Sequence, residues 1–215
     1  MIYPRQCPVC NTILGHGSPS ICDPCVECLP NGHIEGSPSL IEQILVPLYG
    51  ITSGIGLYFF RSDNSIQRIL HLIKYQNQPN HIKSLVNRSK LQLCEVLKSV
   101  DTIVPVPMHK SKIRKRGYNQ TRLIADEIGM VISQPVFPLL ERSKKNSSQT
   151  KRNRLDRWQR VKDDFEVSPH LHHPEHILLV DDVFTTGATT AACIEKLRAQ
   201  WPNLKISVCC LAITD

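Results

Sequence analysis

Two aspartates and a run of small residues carry the clearest chemistry in the sequence. Asp181-Asp182 is followed, two residues on, by Thr185-Thr186-Gly187-Ala188-Thr189. Adjacent carboxylates repel a bare phosphate but suit sugar hydroxyls or a cation. Threonine hydroxyls, backbone N–H groups and a glycine without a Cβ suit a phosphate, above all where they lead into a helix N-terminus. A phosphate cradle beside a diol clamp describes a ribose 5-phosphate site. Four apolar residues from Ile177 to Val180 predict a buried parallel strand that ends at the acidic pair. The run from Ala191 to Leu197 predicts a helix, with one of the threonines expected to N-cap it. That order puts the chemistry at the carboxyl end of a strand, where open α/β sheets bind their ligands.

A second cluster lies near the N-terminus. Cys7-Pro-Val-Cys10 and Cys22-Asp-Pro-Cys25 are two Cys-x2-Cys knuckles, with eleven residues between them. Each knuckle presents two thiolates to one ion, so the four together predict a structural zinc site. The stretch between them is poor in apolar residues, and metal binding would supply the missing folding energy. Cys28, His16 and His33 are possible substitute ligands but read better as loop residues.

The chain has 215 residues, 41% hydrophobic and 21% charged, enough for one ordinary domain and a small appendage. No apolar run is long enough to span a membrane, and the first residues lack the shape of a signal peptide. A cytoplasmic protein is therefore expected, with its nine cysteines as metal ligands or buried thiols. The net charge is +7, but residues 110–162 hold 15 Lys and Arg against 4 Asp and Glu. So uneven a charge suggests an anionic partner, a phosphorylated sugar or a nucleic acid.

The elements that must position these residues follow in order. A linker is expected over residues 31–38, a strand or hairpin over 51–60, a helix over 65–75 with Ser65 as its cap, and a single helix over 80–97 with Cys94 on its apolar side. Asp101-Thr-Ile-Val-Pro105-Val-Pro107 reads as a strand stopped by its prolines. A basic loop follows, with His109, Lys110 and Arg116 as anion-binding candidates and Gly117 permitting a turn. A helix over 119–131 and a short strand over 134–140 come next. From Arg142 to Lys162 the sequence carries nine Lys and Arg against Asp156 alone, which resists packing. Trp158 within it reads as a packing anchor, with base stacking the alternative. His170, His172, His173 and His176 read as a solvated connector rather than a metal site. A last strand over 205–213 closes the chain, with Cys193, Cys209 and Cys210 as buried thiols.

The segment over 177–190 resembles the signature of type I phosphoribosyltransferases. A receiver domain also ends its first strand on an aspartate pair, but it needs roughly a hundred further residues, and 33 follow Asp182. Val-Pro-Val-Pro over 104–107, Arg116-Gly-Tyr-Asn-Gln120, Leu72-Ile-Lys-Tyr75, the two knuckles, and Gln149 with Arg152, Arg154 and Trp158 are similar to the ComF/GntX family of phosphoribosyltransferase-like proteins. That resemblance implies an α/β fold: a type I phosphoribosyltransferase domain over 39–215, behind a zinc-ribbon-like module with four cysteine ligands over 1–38. It implies phosphoribosyl pyrophosphate (PRPP) with magnesium as ligand, Asp181 and Asp182 on the ribose, and Thr185 to Thr189 on the 5-phosphate. The turn after the Val-Pro-Val-Pro strand would take the pyrophosphate, and residues 142–162 would form a closing hood. It further implies a connection to DNA uptake in natural competence. The alternative is a non-catalytic factor that handles single-stranded DNA, with other competence proteins as partners and PRPP at most a regulatory ligand. No general base stands out.

Overall fold

The computed structural model describes residues 4–32, 36–61, 65–142, 164–168 and 173–214. The strands β1 (Ser53–Phe60), β2 (Thr102–Pro105), β5 (His176–Phe184) and β6 (Lys205–Thr214) form a four-stranded sheet in the order β1-β6-β5-β2. All its neighbours are parallel. β3 (Leu140–Arg142) and β4 (Phe165–Val167) pair antiparallel as a separate ribbon. The apolar run of β5 is buried on both faces, as a central parallel strand must be.

Helices cover both faces. α3 (Ser65–Tyr75), α4 (Asn80–Arg88), α5 (Lys90–Val96) and α7 (Gln120–Ile132) pack with Leu178 and Val180 of β5 on one side. α2 (Leu40–Tyr49) and α8 (Ala188–Gln200) pack with Ile177 and Leu179 on the other. Cys7, Ile21, Val26 and Leu29, from the segment that contains the short helix α1 (Asp23–Glu27), join the first of these cores. No helix among the described residues is long and apolar enough to cross a membrane.

Several expectations from sequence need correction. The helix expected over 80–97 breaks at Ser89, whose N–H bonds back to Val86 three residues earlier, so two helices result. Ser65 lies inside α3 instead of capping it. The basic stretch expected to be a loop contains a helix, α6 (Lys110–Arg116). The His109 ring accepts from the Ser111 N–H at its start, and Gly117 at φ 84° closes it in the left-handed region. Residues 135–137 run beside β2 through a single parallel bridge, Ile103 to Val136. Pro135 and Pro138 lack the N–H groups that a longer ladder needs, and regular pairing starts only at Leu140. The expected linker is partly pinned: Phe59 donates to the Pro30 carbonyl and Gly32 to Leu57, alongside β1. A Cβ on Gly32 would sit 2.6 Å from the Gly56 carbonyl oxygen. Ser39 then opens α2 with a reciprocal capping box to Glu42.

Candidate functional site

Chain direction creates an opening between β2 and β5. After β2 the chain passes through α7, on the first face, to residues 135–137 on β2's outer side. After β5 it passes through α8, on the second face, to β6 on the opposite side. Adjacent parallel strands whose connections part in this way leave a crevice at their carboxyl ends. The pairing runs out at the same place. Val106 donates to the Val180 carbonyl, and beyond it β5 continues from Asp181 to Phe184 paired with β6 alone.

At the far end of β5 the chain turns through Thr185 and Thr186, both exposed, into Gly187. Gly187 has φ 73° and is itself the N-cap of α8, with no side-chain cap. The expected threonine cap is therefore absent, and α8 starts at Ala188, three residues earlier than expected. A left-handed cap residue followed by an uncapped first turn leaves the N–H groups of residues 188–190 without a side-chain cap at the positive end of a 13-residue helix. A Cβ on Gly187 would meet Phe184 Cζ at 2.8 Å, so the position is closed to side chains from within. Thr189 is half-buried beside this turn.

The aspartates do not end the strand; they lie within it. Successive residues of a strand project to opposite faces, and the two carboxylates accordingly part. Asp181 is buried, 9% exposed, and shares its surroundings with Cys193, Cys210 and Arg142 on the α8 face. Loss of hydration, followed by the neighbouring Asp182 charge, pushes its carboxyl up to about 7. Asp182 faces α3, where Lys74 Nζ stands 2.8 Å from Oδ2. Lys74 is a site residue that sequence reasoning misses, although it lies within the Leu-Ile-Lys-Tyr motif. Nothing local links it to an aspartate more than a hundred positions away.

The basic candidates divide. His109 caps α6 and is half-buried, with Nδ1 2.6 Å from Ser111 Oγ. Lys110 is exposed. Arg116 turns towards the end of α3 and the start of α7: its guanidinium lies 5.3 Å over the Tyr75 ring and donates to Gln120 Oε1 at 3.0 Å. The Tyr118 hydroxyl donates to the Ile73 carbonyl, and Thr121 Oγ1 donates to Val106 at 2.6 Å. These bonds tie the end of α3 and the start of α7 to the mouth of the crevice.

The four knuckle thiols converge. The Sγ atoms of Cys7, Cys10, Cys22 and Cys25 lie within 4.8 Å of one another, with Cys22 3.6 Å from both Cys7 and Cys10. A tetrahedron of thiolates with bonds of about 2.3 Å has edges of about 3.8 Å, so this cluster fits a structural zinc ion. Asn11 at φ 62° closes the first knuckle, and the Cys22 carbonyl accepts from Cys25 and Val26 in the second. Bonding to Thr12 pulls Cys10 down to about 6, while loss of hydration and the neighbouring thiols push Cys25 up. A divalent cation would let all four ionise. Cys28 and His16 are exposed and outside the cluster; His33 lies outside the described residues.

Trp158, Gln149, Arg152, Arg154, His170 and His172, with most of the expected hood, also lie outside the described residues. His176 is no solvated connector. It is buried at the start of β5, bonded to Ser99 Oγ at 3.0 Å and Ser207 Oγ at 2.9 Å, and burial lowers its pKa. His173 meets Trp201 Nε1 at 3.3 Å. Cys193, Cys209 and Cys210 are buried thiols as expected, while Cys94 is only half-buried, donating to the Val131 carbonyl.

Two known proteins are similar in sequence. Competence protein F of Haemophilus influenzae is 32% identical over 105 residues, 47% of this chain and 46% of that protein. Competence protein ComFC of Bacillus subtilis is 31% identical over 101 residues, 45% of this chain and 40% of that protein. The matched region spans less than half the length of either relative. No family model matches the chain. Solved structures of similar shape include an adenine phosphoribosyltransferase, 16% identical, covering 66% of this chain and 74% of that one with a TM-score of 0.44. A purine phosphoribosyltransferase from Pyrococcus horikoshii is 18% identical, covering 60% and 72%, with a TM-score of 0.37.

Proposed function

We propose that this chain, a homologue of competence protein F and ComFC, binds PRPP with magnesium in the crevice between β2 and β5 and transfers its phosphoribosyl group in the cytoplasm. The observation that carries the reading is Gly187: a left-handed, uncapped helix start, directly beyond a strand that bears two carboxylates. The 5-phosphate would take the N–H groups of residues 188–190 and the hydroxyls of Thr185, Thr186 and Thr189. Asp182 is the carboxylate that ribose hydroxyls reach at the surface of the crevice. Asp181, beneath it on the other face, holds a proton or a charge according to pH, and sets the local potential. The pyrophosphate would lie towards the β2 connection, where His109, Lys110 and Arg116 are the candidate contacts.

Magnesium, when bound with the ligand, neutralises diphosphate charge. The described residues offer it no closed cage, since Asp181 is buried and Asp182 is paired with Lys74. The residue types fit a metal held chiefly by ligand oxygens and water. The protein's part is to grip both ends of the sugar so that the bond to pyrophosphate lies between fixed charges, with carboxylate density near the positive centre that develops at the sugar. Calorimetry with PRPP and magnesium tests the reading. The wild type should bind, and a variant with Asp181→Asn and Asp182→Asn should give no heat. Equal heats from both would sink it.

A second reading has one observation behind it. α6 places five Lys and Arg among seven residues, none of them buried. Such a surface suits the phosphates of single-stranded DNA, for a competence factor that works without catalysis. A salt titration of oligonucleotide binding tests it: steep weakening with salt supports it, and absence of binding at low salt excludes it.

A further inference from the structure

Asp182 does not stand free at the mouth of the crevice. The Lys74 ammonium occupies it at 2.8 Å, with the two side chains 20% and 19% exposed. The backbone on either side of Lys74 is fastened. The carbonyl before it, of Ile73, accepts from the Tyr118 hydroxyl, and the ring after it, of Tyr75, lies under Arg116. What remains free to swing is the Lys74 side chain, a point charge on a flexible four-carbon stem.

Beneath Arg116 lies an unfilled donor. Gln120 is 1% exposed, and its Oε1 accepts from Arg116. Its Nε2 has no hydrogen-bond partner among the described residues. A buried amide left without an acceptor is costly, and this one is enclosed within the fold beneath Arg116. Lys74 on Asp182 and Arg116 over the adjoining Tyr75 ring bring two cations to the end of α3, against one carboxylate.

We infer that Lys74 exchanges partners when a sugar 1-diphosphate binds. In the free protein it neutralises Asp182. When ribose hydroxyls take the carboxylate, the released ammonium meets the diphosphate together with Arg116. The inference rests on the phosphoribosyl reading above and deepens it, by naming an internal counterion for the sugar subsite and a cation for the leaving group. Two half-sites thereby become linked through one side chain: each half-ligand must free one end of the same ion pair.

The linkage has a signature that a fixed structural salt bridge lacks. Inorganic pyrophosphate and ribose 5-phosphate, titrated separately with magnesium into the full chain, probe the two halves. In Asp182→Asn, ribose 5-phosphate should bind more weakly while pyrophosphate binds roughly threefold more tightly, the scale set by one partly exposed ion pair. In Lys74→Met the signs reverse: pyrophosphate weakens by about tenfold, as a charge-assisted contact is lost, and ribose 5-phosphate gains slightly. Lys74→Arg should restore pyrophosphate binding, and Lys74→Gln should behave as Lys74→Met. Pyrophosphate affinity that stays level or falls in Asp182→Asn overturns the exchange, as does equal weakening of both probes in Lys74→Met. Failure of the wild type to bind ribose 5-phosphate, with the pyrophosphate gain in Asp182→Asn intact, would refute the phosphoribosyl reading and the exchange with it, leaving only Lys74 as a diphosphate contact that Asp182 restrains.

Discussion

The knuckle cluster and the carboxylate strand use short motifs in opposite ways. In the knuckles, cysteines three positions apart are folded by tight turns until their sulfurs meet, and two such turns share one centre. In β5, two aspartates one position apart are driven to opposite faces of a sheet, one buried and one paired with α3. Adjacency in sequence brings side chains together only where the backbone turns back on itself. In an extended strand it separates them, and the partners that matter come from elsewhere.

The largest expected effect breaks the first half of this contrast. Cys25→Ser, or a strong chelator, should remove bound zinc and unfasten the segment that carries Cys7, Ile21, Val26 and Leu29 from the core. Metal content by emission spectroscopy should fall to background. The melting temperature should drop by on the order of 10 °C, because metal binding supplies folding energy that this apolar-poor stretch lacks.

The next effect sharpens the second half. Asp181 in the folded chain has its carboxyl raised from 3.8 to about 7. Between those values the folded state holds a proton that the unfolded state has lost, so stability falls as pH rises across that window and the cost is fully present above it. Asp181→Asn should therefore melt higher than the wild type at pH 8, by an amount on the order of a few kcal/mol, and no higher at pH 4. Equal melting temperatures for Asp181→Asn and the wild type at pH 8 would contradict the burial of that carboxylate.

A smaller loss is expected from Gly187→Val. A left-handed φ costs a branched residue about 1–2 kcal/mol, and the Cβ contact of 2.8 Å with Phe184 adds to it. The melting temperature should fall by roughly 4–8 °C, with the proposed phosphate affinity falling more than stability alone explains. Gly36, at φ 77° with nothing near its Cβ position, is the control that should leave ligand binding unchanged.

The smallest effect tests the join between the two regions. His81 is buried, bonds to Ser20 Oγ at 3.0 Å and Gln78 Oε1 at 2.9 Å, and burial lowers its pKa from 6.5. Its folded form stays neutral where the unfolded form already binds a proton, so this contribution falls as pH drops below about 6.5, opposite in sign to that of Asp181. His81→Asn should flatten the acid side of the stability curve while leaving the side above pH 7 unchanged.

Sequence alone determined whatever depends on short-range geometry. The four-thiol cluster follows from Cys-x2-Cys spacing and the buried parallel strand from an apolar run, whereas the left-handed cap at Gly187 was not legible in a sequence that also offered threonines for that place. The same rules, applied one step too far, missed the continuation of β5 through the aspartates. That extension depends on pairing with β6, which begins more than twenty residues later. The rules also missed α6, where a histidine cap and a left-handed glycine outweigh repulsion among exposed charges. Only the tertiary structure could decide that the two carboxylates part, that Lys74 reaches one of them, and that Gln120 is left with an unused donor. Those facts depend on which faces of distant helices are pressed against the sheet, and packing of that kind leaves no spacing in the chain from which to read it.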